Sequence, residues 1–168
     1  LTNTAGFSRM DVTGFLGSYR TVTDQDRFAT PTQGRTLERG DVDANDFQVR
    51  ASAERLFGQA RLEVGTDVHG RFDLHALDIV EQYDTTGALA SRVENVSIDS
   101  ARRTDTGVFA MFEVAPRNTL LLAGGARADH VATRNRAGYF GDASTSNGSL
   151  SGFTSATVGP FGGVSLTG

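Results

Sequence analysis

The stretch that decides the fold is QARLEVGTDVHGRF, from Gln59 to Phe72. Two kinds of residue alternate along it. Successive side chains of a β-strand point to opposite faces, so this period of two predicts a strand with one apolar face and one charged face. The apolar set is Ala60, Leu62, Val64, Thr66 and Val68, and the charged set is Arg61, Glu63, Asp67, His69 and Arg71.

The same alternation recurs along the chain, and tight turns separate the alternating segments. Twenty glycines, three prolines and eleven phenylalanines also favour strands and turns over helices. We therefore predict an all-β chain, an antiparallel meander of about seven strands. Clear strands are expected over 47–56, 59–72, 107–115 and 119–131, and weaker ones over 8–20, 150–158 and 164–168, with short turns at 57–58, 116–118 and 159–163.

The connections between these strands differ in length in a regular way. Three polar connections, expected as long extracellular loops over 21–46, 73–106 and 132–149, alternate with the short turns. The middle one contains strand-like runs over 74–83 and 89–98 around a turn at 84–87, so we expect a barrel hairpin that continues there beyond the membrane. Outer-membrane β-barrels have this asymmetry, with short periplasmic turns and long extracellular loops. The pattern predicts an open section of a large transmembrane β-barrel, whose first and last strands are unpaired edges and whose Val64, Phe112 and Leu122 face lipid.

Composition and motifs argue against several other functions. The net charge of -4 and the lack of a basic stripe exclude nucleic acid as a partner. The chain has no cysteine and no nucleophile or acid/base constellation, so we predict neither an enzyme nor a cofactor. The run Asp41–Asp46 begins like a calcium loop but lacks the Gly and Glu that complete one, which favours an acidic loop and leaves an irregular Ca²⁺ site open.

Two segments of the hairpin predicted over 107–115 and 119–131 resemble a known family. They are Thr106–Val114, read TGVFAMFEV, and Gly125–His130, read GARADH, on either side of the Pro116-Arg117-Asn118 turn. This hairpin is similar to the mid-barrel hairpin of TonB-dependent outer-membrane receptors, although Ala128 stands where that family commonly has an aromatic residue. Gly65–Val68 and Gly138–Asp142 resemble other strand and loop segments of such receptors.

The resemblance implies a location, a function and partners. It implies a barrel of about 22 strands in the bacterial outer membrane, and residues 1–168 are expected to be an internal piece of it. The intact receptor would import metal chelates or similar small nutrients with energy from the TonB complex. Its partners would be outer-membrane lipid and the plug domain of the same full-length chain. The alternatives are another outer-membrane barrel, porin-like or autotransporter, and a soluble β-sandwich binding module.

Two sets of residues are the candidate functional ones. The first set is expected to face the lumen as mixed charged ladders, and the second is expected to contact a ligand, because arginines and aromatics can hold an anionic chelate by charge and stacking. The lumen set is Arg50, Arg61, Glu63, Asp67, Arg71, Arg127 and Asp129. The ligand set is Arg134, Arg136, Tyr139 and Phe140, together with His69 and His75, both expected on the lumen side.

Overall fold

The computed structural model describes residues 6–161 and 163–168, and they form one antiparallel sheet. Its strands are β1 (Arg9–Arg27), β2 (Thr36–Phe57), β3 (Ala60–Tyr83), β4 (Leu89–Arg117), β5 (Leu120–Asn135), β6 (Ala143–Phe161) and β7 (Val164–Thr167). Each strand pairs with its neighbours in sequence order, from β1 to β7. The predicted seven-stranded open meander is therefore confirmed. Within the described residues β1 and β7 are the edges, and no helix of a length and hydropathy suited to crossing a membrane is present.

The sheet has no second layer over it in the described part of the chain. Its buried apolar side chains are small, namely Ala44, Ala76 and Ala101. The accessible surface is 11551 Å², whereas a folded monomer of this length exposes roughly 8,000 Å². A two-layer sandwich, the soluble alternative, would bury Val64, Phe112 and Leu122 between sheets. Phe112 is instead 46% exposed and Leu122 is 39% exposed.

Residues that are directly opposite in register share a face of the sheet. Val64 is opposite Ala53 and Ala110, and Leu122 is opposite Val114 and Ala156. We call the apolar stretch of this face, whose side chains are exposed or half-buried, the apolar band. Its members are Met10, Val12, Leu16, Val49, Ala51, Ala53, Leu62, Val64, Val68, Val108, Ala110, Phe112, Val114, Leu122, Ala126, Ala128 and Leu150.

Aromatic side chains lie at both ends of the apolar band on β2. Phe57 lies at the turn, where Arg55 on the same face stacks on its ring at 4.8 Å. At the other end Phe47 packs against Phe72, with ring centroids 6.1 Å apart. The segment from Phe47 to Phe57 has the length of ~9 to 11 residues with which a tilted strand crosses a bilayer.

The three segments expected as long loops are mostly strand. Strands β1 to β4 continue far beyond the apolar band, and the first two connections shorten to 28–35 and 84–88. The third, expected over 132–149, shortens to 136–142. Loop conformation was thus the wrong expectation for most of 21–46 and 132–149. The strand-like runs expected inside the middle connection, over 74–83 and 89–98, lie in β3 and β4 as expected. The extended strands carry charged residues on both faces, and adjacent apolar residues such as Ile79 and Val80 point to opposite faces, so the regular alternation that marks a half-buried strand is absent there.

Arginine–carboxylate pairs link the strand extensions across β1 and β2. Arg39 Nε donates to Asp24 Oδ1 at 2.7 Å, and Arg35 donates to both carboxylate oxygens of Asp26 at 2.9 and 2.6 Å. Arg20 binds Asp41 in the same bidentate way, at 3.0 and 2.6 Å. In each pair the hydrogen bonds from arginine hold the pKa of the aspartate below its ordinary value.

These shifts predict that the β1–β2 extension loosens only in acid. A carboxylate with a lowered pKa stabilises the folded state above its ordinary pKa of 3.8 and loses that contribution as pH falls through the lowered value. Amide-exchange protection in 20–27 and 36–43, referred to the intrinsic rate at each pH, should stay constant from pH 7 to about 5 and fall below about pH 4. The double variant Asp24→Asn/Asp26→Asn should show the low protection already at pH 7, and Thr21→Ala serves as the control. Protection that is unchanged down to about pH 2 contradicts this assignment.

Candidate functional site

The face opposite the apolar band carries the predicted charged residues, and we call it the charged face. Register puts Arg50 opposite Asp67, Glu54 opposite Glu63, and Gly107 opposite both Asp67 and Asp129. The seven residues expected to face the lumen thus share one face of the sheet. They are Arg50, Arg61, Glu63, Asp67, Arg71, Arg127 and Asp129.

Arg127 on β5 spans three strands. Its Nη1 and Nη2 donate to the two carboxylate oxygens of Asp67 on β3, at 2.7 and 2.9 Å, and its Nε donates to Asp129 at 2.7 Å. The guanidinium crosses β4 at Gly107, where a Cβ would collide with it. Such bidentate, charge-assisted hydrogen bonds are both strong and directional. Glycine at 107 is therefore a requirement of the bridge between β3 and β5.

Arg61 makes a second three-strand connection nearer the turns. Its guanidinium donates to Glu54 on β2 at 2.7 Å, to Glu63 on β3 at 3.0 Å and to Glu113 on β4 at 3.2 Å. One cation therefore faces three carboxylates in a partly exposed setting. This site retains a net negative charge.

A third group of contacts lies at the other end of the charged face. Arg71 donates to both oxygens of Asp46, at 2.7 and 2.9 Å, and its guanidinium lies 5.0 Å from the centre of the Tyr19 ring. His69 Nε2 is 3.9 Å from Asp105, whose carboxylate also accepts from Arg103 at 2.8 Å. His69 is thus on the face where the sequence analysis expected it, at the edge of an open cavity of about 570 Å³.

Two phenylalanines cover glycines on this face. The Phe109 ring lies over Gly65, where an added Cβ would be 2.5 Å from it, and the Phe153 ring lies over Gly125 at 2.7 Å from such a Cβ. The guanidinium of Arg50 also lies over the Phe109 ring, at 5.6 Å from the ring centre. The aromatic rings of Phe109 and Phe153 border an open cavity of about 640 Å³.

Sequence reasoning missed this cavity, although a signal was present. A glycine inside an alternating strand commonly marks close approach by another group. Gly65 and Gly125 both interrupt the charged sets of their strands. The cavity is walled by Glu63, Met111, Arg127 and Ser151 besides the two rings, a mixture of charged and apolar groups.

The structure contradicts the expected lumen position of His75. The register of β2 and β3 shifts between Asp43 and Asn45, because β3 has an extra residue there, and Asp73 takes a positive φ of 51°. One inserted residue reverses the face of everything that follows it. His75 therefore pairs with Asp43 on the face of the apolar band, and its Nδ1 lies 3.4 Å from Asp99.

The other four candidate ligand residues are divided between a strand and a connection. Arg134 belongs to β5, directly opposite Arg102 on β4, and it shares the face of the apolar band. Arg136, Tyr139 and Phe140 lie in the connection 136–142. The rings of Tyr139 and Phe140 meet edge to face at 5.4 Å and are 76% and 69% exposed.

Hydrogen bonds hold this connection against β4. The Tyr139 amide donates to the Val96 carbonyl at 2.9 Å, and Asn135 Nδ2 donates to the Gly141 carbonyl at 2.7 Å. Gly138, at a φ of 95°, lies so close to the Ser97 carbonyl that a Cβ would be 2.8 Å from that oxygen. The exposed aromatic pair is therefore presented by an ordered backbone.

The acidic run Asp41–Asp46 is part of strand β2 and does not form a calcium loop. Its side chains alternate between the two faces, and Arg20 and Arg71 neutralise Asp41 and Asp46. Among residues 6–161 and 163–168, no group of three or more His, Cys, Asp or Glu side chains is arranged to hold a metal ion. The expectation of an acidic loop at this run is thereby corrected to a strand.

Comparison with known proteins gives a similarity of fold. The sequence matches no known family model, and no curated protein is significantly similar to it. Among solved structures, the one named "Copper transporter OprC" is similar over 92% of this chain, with a TM-score of 0.65 and 14% sequence identity. The aligned part is 25% of that chain, so this chain spans about a quarter of its length. At this identity the likeness is one of fold.

Proposed function

We propose that this chain is a section of the barrel of a TonB-dependent outer-membrane receptor that imports metal chelates or similar small nutrients. The observation that carries the proposal is the two-faced open sheet. It has an exposed apolar band bounded by aromatic side chains on one side and an ion-paired charged face on the other. A barrel wall between lipid and a wet lumen needs both.

Several further points support the membrane orientation. The apolar band is contiguous over β1 to β6, and an apolar patch that extends over six strands is unusual on the surface of a soluble monomer. The ion-paired strand extensions beyond Phe47 and Phe72 suit water outside the outer leaflet. The fold similarity to a structure named as a copper transporter agrees with a transport role and with a metal-containing ligand.

Another outer-membrane barrel, porin-like or autotransporter, has the same two-faced wall and stays the second candidate. The sequence resemblance of the Thr106–His130 hairpin favours the receptor. In a receptor the charged face, with its Arg127 and Arg61 ion pairs, would be covered by the plug domain of the full-length chain. A plug encoded in the same gene upstream of these residues would separate the two candidates.

The lipid-facing assignment predicts that neighbouring positions of one strand, whose side chains point to opposite faces, tolerate an arginine differently. Arg at Val64 or Leu122 should cost ~2 to 4 kcal/mol in unfolding free energy, because the charge enters hydrocarbon, whereas Ala123→Arg on the charged face should cost much less. Gly65, although it lies on the charged face, is no suitable control, because any side chain there meets the Phe109 ring. Urea unfolding of the intact barrel, refolded into vesicles of varied lipid thickness, measures the difference. An equal cost at Val64 and Ala123, independent of the bilayer, would rule out the barrel assignment.

The ligand-contact proposal rests on the exposed aromatic pair beside Arg136. In the full-length receptor, Tyr139→Ala/Phe140→Ala and Arg136→Gln should each lower the uptake of radiolabelled copper and iron chelates several-fold. The first variant loses aromatic stacking on the chelate, and the second loses the positive charge that attracts it. Leu89→Ala, an exposed apolar residue on the neighbouring hairpin, is the matched control. Unchanged uptake in both variants removes this connection from the ligand site.

A further inference from the structure

Two arginines face each other across neighbouring strands without a carboxylate between them. Arg102 on β4 is directly opposite Arg134 on β5, and both are exposed. Like charges directly opposite in a sheet destabilise it. Within the described chain neither arginine forms an ion pair, whereas the adjacent Arg103, on the other face, binds Asp105 at 2.8 Å.

The surroundings of this pair suit an anion. Arg102 and Arg134 line an open cavity of about 470 Å³ with the hydroxyl-bearing Thr104, Ser144 and Ser146, and none of its lining residues is acidic. Guanidinium groups and hydroxyls are hydrogen-bond donors, and a pair of arginines is well suited to phosphate oxygens. A bound phosphate would also cancel the repulsion between the two cations.

The position of the pair identifies the source of the phosphate. Arg102 and Arg134 lie on the same face as the apolar band, on the extension of β4 and β5 beyond Val108 and Ala128. Two rows, Thr106–His130 and Thr104–Ala132, separate the arginines from Val108 and Ala128. Because Arg71 is opposite Arg103, the pair lies level with Phe72, at the aromatic end of the apolar band. The long side chain of arginine can rest along apolar surface while its charged group reaches the polar interface of a bilayer.

We propose that Arg102 and Arg134 bind the phosphate of an anionic lipid headgroup at the edge of the apolar band. This inference rests on the proposed function, because it requires that the apolar band faces lipid. The hydroxyls of Thr104 and Ser144 would complete the donor set around the phosphate. The site lies on the outside of the barrel wall and is separate from the charged face.

Binding of lipid A to the detergent-solubilised intact barrel tests the proposal. Each arginine near an anionic membrane surface contributes about 1 kcal/mol, so Arg102→Gln/Arg134→Gln should bind fluorescent lipid A about thirtyfold more weakly. Both residues are exposed, and the change removes a repulsion, so the variant should fold. Arg102→Lys/Arg134→Lys should recover most of the affinity. Arg103→Gln, next in sequence but on the charged face, is the matched control and should bind like the unaltered protein.

The other outcomes overturn the proposal in distinct ways. Equal lipid A binding by the double variant and the unaltered protein removes the site. Binding of millimolar inorganic phosphate that is lost in the double variant, together with lipid A binding that is equal in both proteins, assigns the arginines to a soluble anion and not to a lipid. Insertion into neutral phosphatidylcholine vesicles is measured separately, by protection from protease. Failure to insert there contradicts the proposed function, whereas normal insertion without lipid A binding contradicts only the headgroup site.

Discussion

The charged face depends on one contact, the guanidinium of Arg127 lying across Gly107 to reach Asp67. A single sheet has no facing layer to fix its strands relative to one another, so the cross-strand side chains must add to the backbone ladder. Arg127 reaches over a whole strand, which is possible only because β4 offers no side chain at that point. Arg61 repeats the device nearer the turns with three glutamates. The strands are therefore held together on the charged face by two arginines, each of which joins three strands.

The apolar band, on the other face of the same strands, lacks such contacts. Its side chains have no protein partner in the described chain, and the edges β1 and β7 leave backbone donors and acceptors unpaired. In hydrocarbon such groups are costly, and only closure into a barrel satisfies them. The described sheet is thus energetically incomplete in two directions, over its apolar face and at its two edge strands. Both needs are met by one larger closed wall.

Much of this architecture could be predicted from the period-two pattern, and the failures have physical causes. The strands and faces around Val64 and Leu122 follow from alternation, because one face of the sheet there is apolar and the other is charged. Beyond Phe47 and Phe72 the strands carry charged residues on both faces, so alternation no longer separates strand from loop there. His75 was placed on the wrong face because the extra residue near Asp73 is a backbone irregularity with no distinct sequence signal. The glycines under Phe109 and Phe153 carried a signal that sequence reasoning did not use.

The Arg102–Arg134 pair illustrates a finer limit on sequence reasoning. A three-residue turn at Pro116–Asn118 would place Ala115 opposite Thr119 and, counting outward, Arg102 opposite Ala132. In the structure β4 extends to Arg117, and Val114 is opposite Leu122, so Arg102 meets Arg134. A shift of two residues preserves every face, because the side-chain period is two, but it changes every partner. Faces are therefore predictable from pattern alone, whereas a site built from two specific side chains on neighbouring strands depends on the register that the turn sets.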